Sequence, residues 1–227
     1  MGSLTTLFQE IKLHHISEPC IDVTEIDRFE KQIGYKLPSD IKLFYKKFKN
    51  ASLFDNQFCT TYRIVPITEI HSTRIDIYGI DTDEYGPATW LTICDVMDGN
   101  YIGIDILSIN GDECNFIDCF HESFAQQGDS RIVAKSFTEF LDLALHNGKD
   151  LFFLQTGFVG YGDAFAMPPE SSIIRVENQG DSQKGWKVEI LINDNWWSLF
   201  FADKDFGGKE QAQIKAENFL QERKGKK

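Results

Sequence analysis

The chain has 227 residues and a mass of 26.0 kDa, enough for one large domain or for a domain with a small module. With 42% hydrophobic and 26% charged residues, it has the composition of a folded protein and not of a disordered one. Thirty-five acids against 23 bases leave −12; residues 171–227 hold ten bases and nine acids, so the first 170 residues carry −13 and are repelled by phosphate backbones.

No uninterrupted apolar run is long enough to cross a bilayer, and the N-terminus lacks a basic start followed by an apolar block, so neither a membrane span nor a secretory signal is expected. The cysteines are Cys20, Cys59, Cys94, Cys114 and Cys119. An odd, dispersed set without C-x-x-C points to free thiols in a reducing cytoplasm.

Helical spacing of Leu4, Leu7, Phe8, Ile11 and His15 predicts a first helix over 2–15. A second runs from Thr24, read as its cap, to Ile33 and stops at Gly34. Pro38-Ser39-Asp40 opens a third, with Ile41, Phe44, Tyr45 and Phe48 as its apolar face and Lys46, Lys47 and Lys49 at its dipole-favoured end. After Asn50 the pattern changes: a strand is read around Tyr62–Val65, Ile75–Tyr78 is ambiguous, and 79–87 is an acidic loop.

Trp90–Val96, Tyr101–Leu107 and Cys114–Asp118 read as strands. Asp98-Gly99 and Asn110-Gly111 between them tolerate positive φ and predict tight hairpins, hence an antiparallel meander. Ser136-Phe137-Thr138-Glu139 is a capping box for a helix that ends at Asn147-Gly148. The aromatic, Gly-rich stretch 149–170 is too apolar for a free linker and is expected to pack on the preceding residues, with Met167-Pro168-Pro169-Glu170 as a hinge. Beyond it, Ile173–Glu177, Trp186–Ile192 and Trp196–Phe201 read as strands and Lys209–Arg223 as a helix. The division expected is residues 1–168 and a β-β-β-α module over 169–227.

Little of this pattern carries catalysis. There is no G-x-S-x-G, and Gly207-Gly208-Lys209-Glu210 lacks the spacing of a phosphate loop. Cys114, Cys119 and His121 are the one mixed thiol–imidazole cluster, and a second ligand pair for zinc is missing, so buried cysteines are the better reading. The expectation is no catalytic residue, no metal and no cofactor.

The first part resembles the SMI1/KNR4 family of the SUKH superfamily. The residues that carry the likeness are Phe29, Glu30 and Gly34, then Leu37-Pro38-Ser39-Asp40 with Leu43 and Tyr45, the hairpin 98–105 and Ser136-Phe137 with Phe140-Leu141. The resemblance implies an α+β fold with a mixed or antiparallel sheet flanked by helices, and no enzyme activity. It implies an immunity-type protein that neutralises a bacterial toxin. A basic toxin domain would suit the acidic chain, with contacts at Asp81, Asp83, Glu84, Tyr85 and Asp98. Residues 172–222 are similar to a bacterial AP2-like domain, through Gly185-Trp186-Lys187-Val188, Phe200-Phe201-Ala202-Asp203 and Gly207-Gly208-Lys209. That likeness implies the alternative, a DNA-binding regulator contacting DNA through Arg175, Trp186, Lys187 and Trp197. A module kept for packing or protein contact is the other reading of the same residues.

Overall fold

The structure is a computed structural model that describes residues 3–55, 62–82, 85–124 and 130–164, and the backbone of 173–178, 185–192 and 195–202. Its backbone divides into two compact units, residues 1–80 with 88–164, and residues 81–87 with 165–227.

The first unit is a seven-stranded sheet in strict chain order with helices against it. The strands are β1 (Ile16–Pro19), β2 (Phe48–Leu53), β3 (Tyr62–Ile64), β4 (Trp90–Asp95), β5 (Tyr101–Asn110), β6 (Glu113–Cys119) and β7 (Ile132–Ala134). Every pairing between them is antiparallel. The helices are α1 (Leu4–His14), α2 (Thr24–Ile33), α3 (Ser39–Lys47), α4 (Thr73–Tyr78) and α5 (Phe137–His146). The architecture is therefore α+β.

Cross-strand register assigns the faces, because directly opposed residues share one side of the pleat. Ala51, Ile64, Cys94 and Ile102 lie in one row, and Ile104, Phe116 and Ala134 in another. These rows meet α1, α3 and α5 in the main core. Aromatic rings dominate its centre. Phe44 meets Phe137 edge-on at 5.1 Å, and Phe116 stacks on Phe140 at 5.4 Å. Such pairs contribute about 0.5–1.5 kcal/mol beyond their buried area.

Carboxylates hold the helix ends. The Oδ2 atom of Asp40 accepts from Thr138 N at 2.8 Å and Thr138 Oγ1 at 3.1 Å, while its Oδ1 accepts from Ile41 N at 2.9 Å. One side chain thus satisfies N-terminal donors of both α3 and α5. Asp112 Oδ1 accepts from Ser39 N at 2.9 Å, and Ser136 Oγ from Glu139 N at 3.1 Å. Buried Glu30 accepts from Leu37 N at 2.9 Å and pairs with Lys36 at 2.5 Å and Lys42 at 3.5 Å. Glu139 does not complete the capping box on Ser136; it accepts from Lys135 N instead.

Several expectations are corrected. Thr24 is the first helical residue of α2, not its cap; Asp22 Oδ1 accepts from Thr24 N at 2.9 Å in that role. His15 lies past α1, where its Nδ1 accepts from Phe54 N at 3.1 Å. Phe48, Lys49 and Asn50 belong to β2 and not to α3, because α3 passes into the strand without a turn. Ile75–Tyr78 is helical. The Asp98-Gly99 hairpin is wider than a two-residue turn, with Val96 N donating to Asn100 O at 3.2 Å. The Asn110-Gly111 turn is tight, since Asn110 pairs with Glu113 and Gly111 has φ 63°. Residues 149–164 pack as expected: Phe152 and Phe153 are in the core, and Tyr161–Ala164 run along β7 through Tyr161 N to Ile132 O and Ala164 N to Ser130 O. The hinge 167–170, the helix 209–223 and Cys59 lie outside the described residues.

The second unit contains an antiparallel sheet in the order β10-β9-β8, from β8 (Ile173–Asn178), β9 (Gly185–Ile192) and β10 (Asn195–Ala202).

Two predictions concern the second face of the large sheet. A Cβ on Gly103 would stand 3.1 Å from Cys119 Sγ and 3.2 Å from Thr73 Oγ1, both buried. Gly103→Ala is expected to lower unfolding stability by about 1–3 kcal/mol in urea titration. Asp105 lies on the same face, and burial pushes its carboxyl from 3.8 up to about 7 against the hydrogen bond from Leu107 N. Across that window the folded chain keeps a proton that the unfolded chain releases, so stability falls as pH rises. The stability of the wild type relative to Asp105→Asn should therefore drop by on the order of 4 kcal/mol from about pH 4 to about pH 8. A difference independent of pH would remove Asp105 as the source.

Candidate protein-binding surface

Among the described residues, the second face of the large sheet is covered on one half only. Tyr101, Gly103 and Asp105 of β5 point to this side, opposite Cys119, Ile117 and Asn115 of β6 and opposite Asp95, Thr92 and Trp90 of β4. Over the middle, α4 sits on Thr92: the Thr92 hydroxyl donates to Asp76 Oδ2 at 2.5 Å and lies 3.2 Å from the Thr73 hydroxyl. Phe124 stands edge-on to Trp90 at 5.8 Å. These contacts bury the β4–β7 half.

The β1–β3 half stays in contact with solvent. Its register runs from Ile16 through Ser52 and Arg63 to Asp95 and Tyr101. Ile16 is 57% exposed. Arg63 reaches Glu69 Oε2 at 3.0 Å and Asp95 Oδ2 at 3.8 Å, so its guanidinium lies between two carboxylates. Glu18 pairs with Lys49 at 3.1 Å, and His71 Nε2 lies 2.9 Å from Asp76 Oδ1. Burial, then the carboxylates of Asp95 and Asp76, push the Tyr101 phenol above its usual range. The acids Glu18, Glu69, Asp76, Asp95 and Asp98 outnumber Lys49 and Arg63, so this surface is negative and favours a positive partner.

Asp98 lies at the edge of this surface, exposed at the β4–β5 tip. The tip is internally braced. Asp95 Oδ1 accepts from Met97 N at 2.7 Å, and Asp98 Oδ1 accepts from Asn100 N at 3.0 Å. Asn100 Oδ1 in turn accepts from His121 N at 2.9 Å. Met97 has φ 65° and is half exposed, an uncommon backbone for a side-chain-bearing residue. The loop therefore presents Met97 and Asp98 on a fixed frame.

The other expected contact residues are placed differently. Asp81 is exposed and Tyr85 half-buried, and both belong to the second unit. Asp83 and Glu84 lie outside the described residues. Glu69, Asp95 and Arg63 were not singled out by sequence: the signal for them is the register, which no local motif encodes.

In the second unit the quartet Arg175, Trp186, Lys187 and Trp197 falls on two faces. Register opposes Arg175 to Glu189 and Lys187 to Glu177 on one face. Trp186 is opposed to Phe201, and Trp197 to Ile190, on the other. Each base thus has an acid opposite it.

Cys114 and Cys119 are buried, and burial pushes both thiols well up. His121 Nδ1 lies 2.7 Å from Asn100 Oδ1. Among the described residues no group of His, Cys, Asp or Glu is placed to hold a metal ion, and no helix is long and apolar enough to cross a membrane.

Comparison with known proteins bears on this arrangement. The chain is 29% identical over 132 residues to Immunity protein YokJ of Bacillus subtilis (strain 168), a match that covers 58% of this chain and 78% of that protein. The SMI1 / KNR4 family (SUKH-1) matches residues 20–143, a span from the end of β1 into α5 that holds most of the sheet and the braced tip. That span exceeds half of the chain, and the chain belongs to the SMI1 / KNR4 family (SUKH-1).

Proposed function

We propose that this chain is an immunity-type protein that binds a toxin protein and blocks it without catalysis. The observation that carries the reading is the likeness to Immunity protein YokJ over 132 residues of the chain. The acidic, solvent-facing half of the sheet supplies a surface for it. A toxin domain with a basic face would meet Glu69, Asp95 and Asp98 there, and like-charged partners would be turned away. The acidic segment Asp81, Asp83, Glu84 and Tyr85 joins this reading as a second contact region. DNA contact through Arg175, Trp186, Lys187 and Trp197 has no comparable support, because the sheet's two bases stand opposite acids.

The test is co-expression with a candidate toxin, chosen from the products of genes next to its own as one that arrests growth when made alone. Cells making both proteins should grow, and cells making the toxin alone should not. Growth arrest in both would overturn the reading.

The charge argument yields a separate prediction. Glu69→Lys combined with Asp98→Lys should leave the chain folded and lower unfolding stability by about 1–2 kcal/mol, since both sites are exposed but Glu69 gives up its pair with Arg63 and Asp98 its bond from Asn100 N. The pair should slow association with the toxin by about tenfold at low salt, and the deficit should shrink as salt is added. Unchanged association would place the contact elsewhere. Neutralising Asp81, Asp83 and Glu84 together, read in the same assay, reports on the second region.

A further inference from the structure

Two adjoining depressions of about 250 and 230 Å³ form one groove between α2 and the turn at residues 67–70. Glu25, Ile67 and Thr68 line both. Buried Ile26, Phe29, Phe48 and Ile67 make the floor apolar, while Ile21 at the rim is 90% exposed. A solvent-facing isoleucine beside an apolar depression gains nothing from its position in the isolated chain.

The charges around the groove are unequally satisfied. Asp22 accepts from Thr24 N and Oγ1 and pairs with Arg28 at 3.3 Å. Lys49 pairs with Glu18 at 3.1 Å. Glu25, shared by both depressions, has no side-chain hydrogen bond or ion pair among the described residues. The charge left over at the centre of the groove is one carboxylate. The turn also joins the groove to the acidic surface: Ile67, Thr68 and Ile70 line the groove, and Glu69 between them reaches Arg63 on the sheet.

We infer that this groove receives a segment of the protein partner carrying an apolar side chain next to a lysine or arginine. The apolar group fills the floor between Ile26, Phe29 and Ile67, and the cation meets Glu25. A partner on the open half of the sheet has the groove at its border, so the two surfaces serve one partner. The inference rests on the reading that the chain binds a toxin protein, and the segment is part of that toxin.

The probe is a short acetylated Gly/Ser peptide with one Leu-Lys pair, titrated at millimolar concentration into the ¹⁵N-labelled full chain. Amide shifts are expected at Ile21, Glu25 and Thr68. Replacing Leu by Ser in the peptide should abolish them. Replacing Lys by Glu, or Glu25→Gln in the protein, should weaken binding by up to about fivefold, the range of a single exposed ion pair. Ile21→Ser, at an exposed position outside any helix, should weaken it without touching the fold. Cys20 lines the groove, whereas Cys94, Cys114 and Cys119 are buried, so its alkylation by iodoacetamide, read by mass spectrometry, should slow as the peptide binds.

No shift with any peptide, equal binding of the Leu-Glu peptide, or shifts confined to the sheet surface would each overturn the inference. Groove shifts that follow protein concentration without peptide would assign the groove to a second copy and overturn it as well. The growth test keeps the two readings apart. A chain that protects cells but binds no peptide in the groove loses this inference alone, and one that binds the peptide but fails to protect loses the immunity reading.

Discussion

One carboxylate ties the helical layer together. Asp40 accepts from its own helix at Ile41 and from the first turn of α5 at Thr138. Helix N-termini carry unpaired N–H groups and partial positive charge, so a buried acid between two of them replaces the water both would need. The placement is a compromise. Burial raises the Asp40 carboxyl, while the Thr138 and Ile41 hydrogen bonds pull it back. The bonds also fix where α3 and α5 start, and hence which rows of aromatic residues meet the sheet. Glu30 does comparable work where α2 turns into α3, with Lys36 and Lys42 balancing its charge.

With α1, α3 and α5 committed to one face, the other has little to cover it among the described residues. The short α4 and Phe124 cover only its β4–β7 part. The remaining strands are built to tolerate water: Glu18 and Pro19 at the β1 edge, Ser52, and an arginine between two acids. Pro and charge on an edge strand discourage indiscriminate pairing with other sheets. A surface of this kind favours a chosen partner through charge and shape more than through bulk apolar burial.

How much of this was legible in the sequence depends on the range of the interaction. The span Thr24–Ile33 with Gly34 at φ 77° was readable, because apolar spacing and a left-handed stop are local. The β4–β6 meander was readable from Asp98-Gly99 and Asn110-Gly111. Three strands were not. Ile16–Pro19 ends on proline, Phe48–Leu53 follows a lysine-rich helix end with no punctuation, and Ile132–Ala134 is three residues long. Each is a strand because of a neighbour in the sheet and not because of its own composition. The same holds for the surfaces. Asp98 announced itself through a turn, whereas Arg63, Glu69 and Asp95 meet only once β3 and β4 pair. Glu25 and Thr68 share a groove because α2 packs against a turn some forty residues later.

The sheet's strand order has a consequence for how the chain reaches this state. From β2 onward each strand pairs with its predecessor in sequence, so every new pairing closes a loop of modest length. Chains rich in near-neighbour contacts pay little loop entropy before contacts reward it, and they fold quickly for their size. During synthesis each strand emerges to find its partner already made. The last helix of the unit, α5, arrives after the whole sheet and brings the donor groups that Asp40 awaits. Until then, Asp40 and the rows that α5 will cover face water. Closure of the core is thus a late event, triggered by a segment about a hundred residues downstream of the acid that receives it.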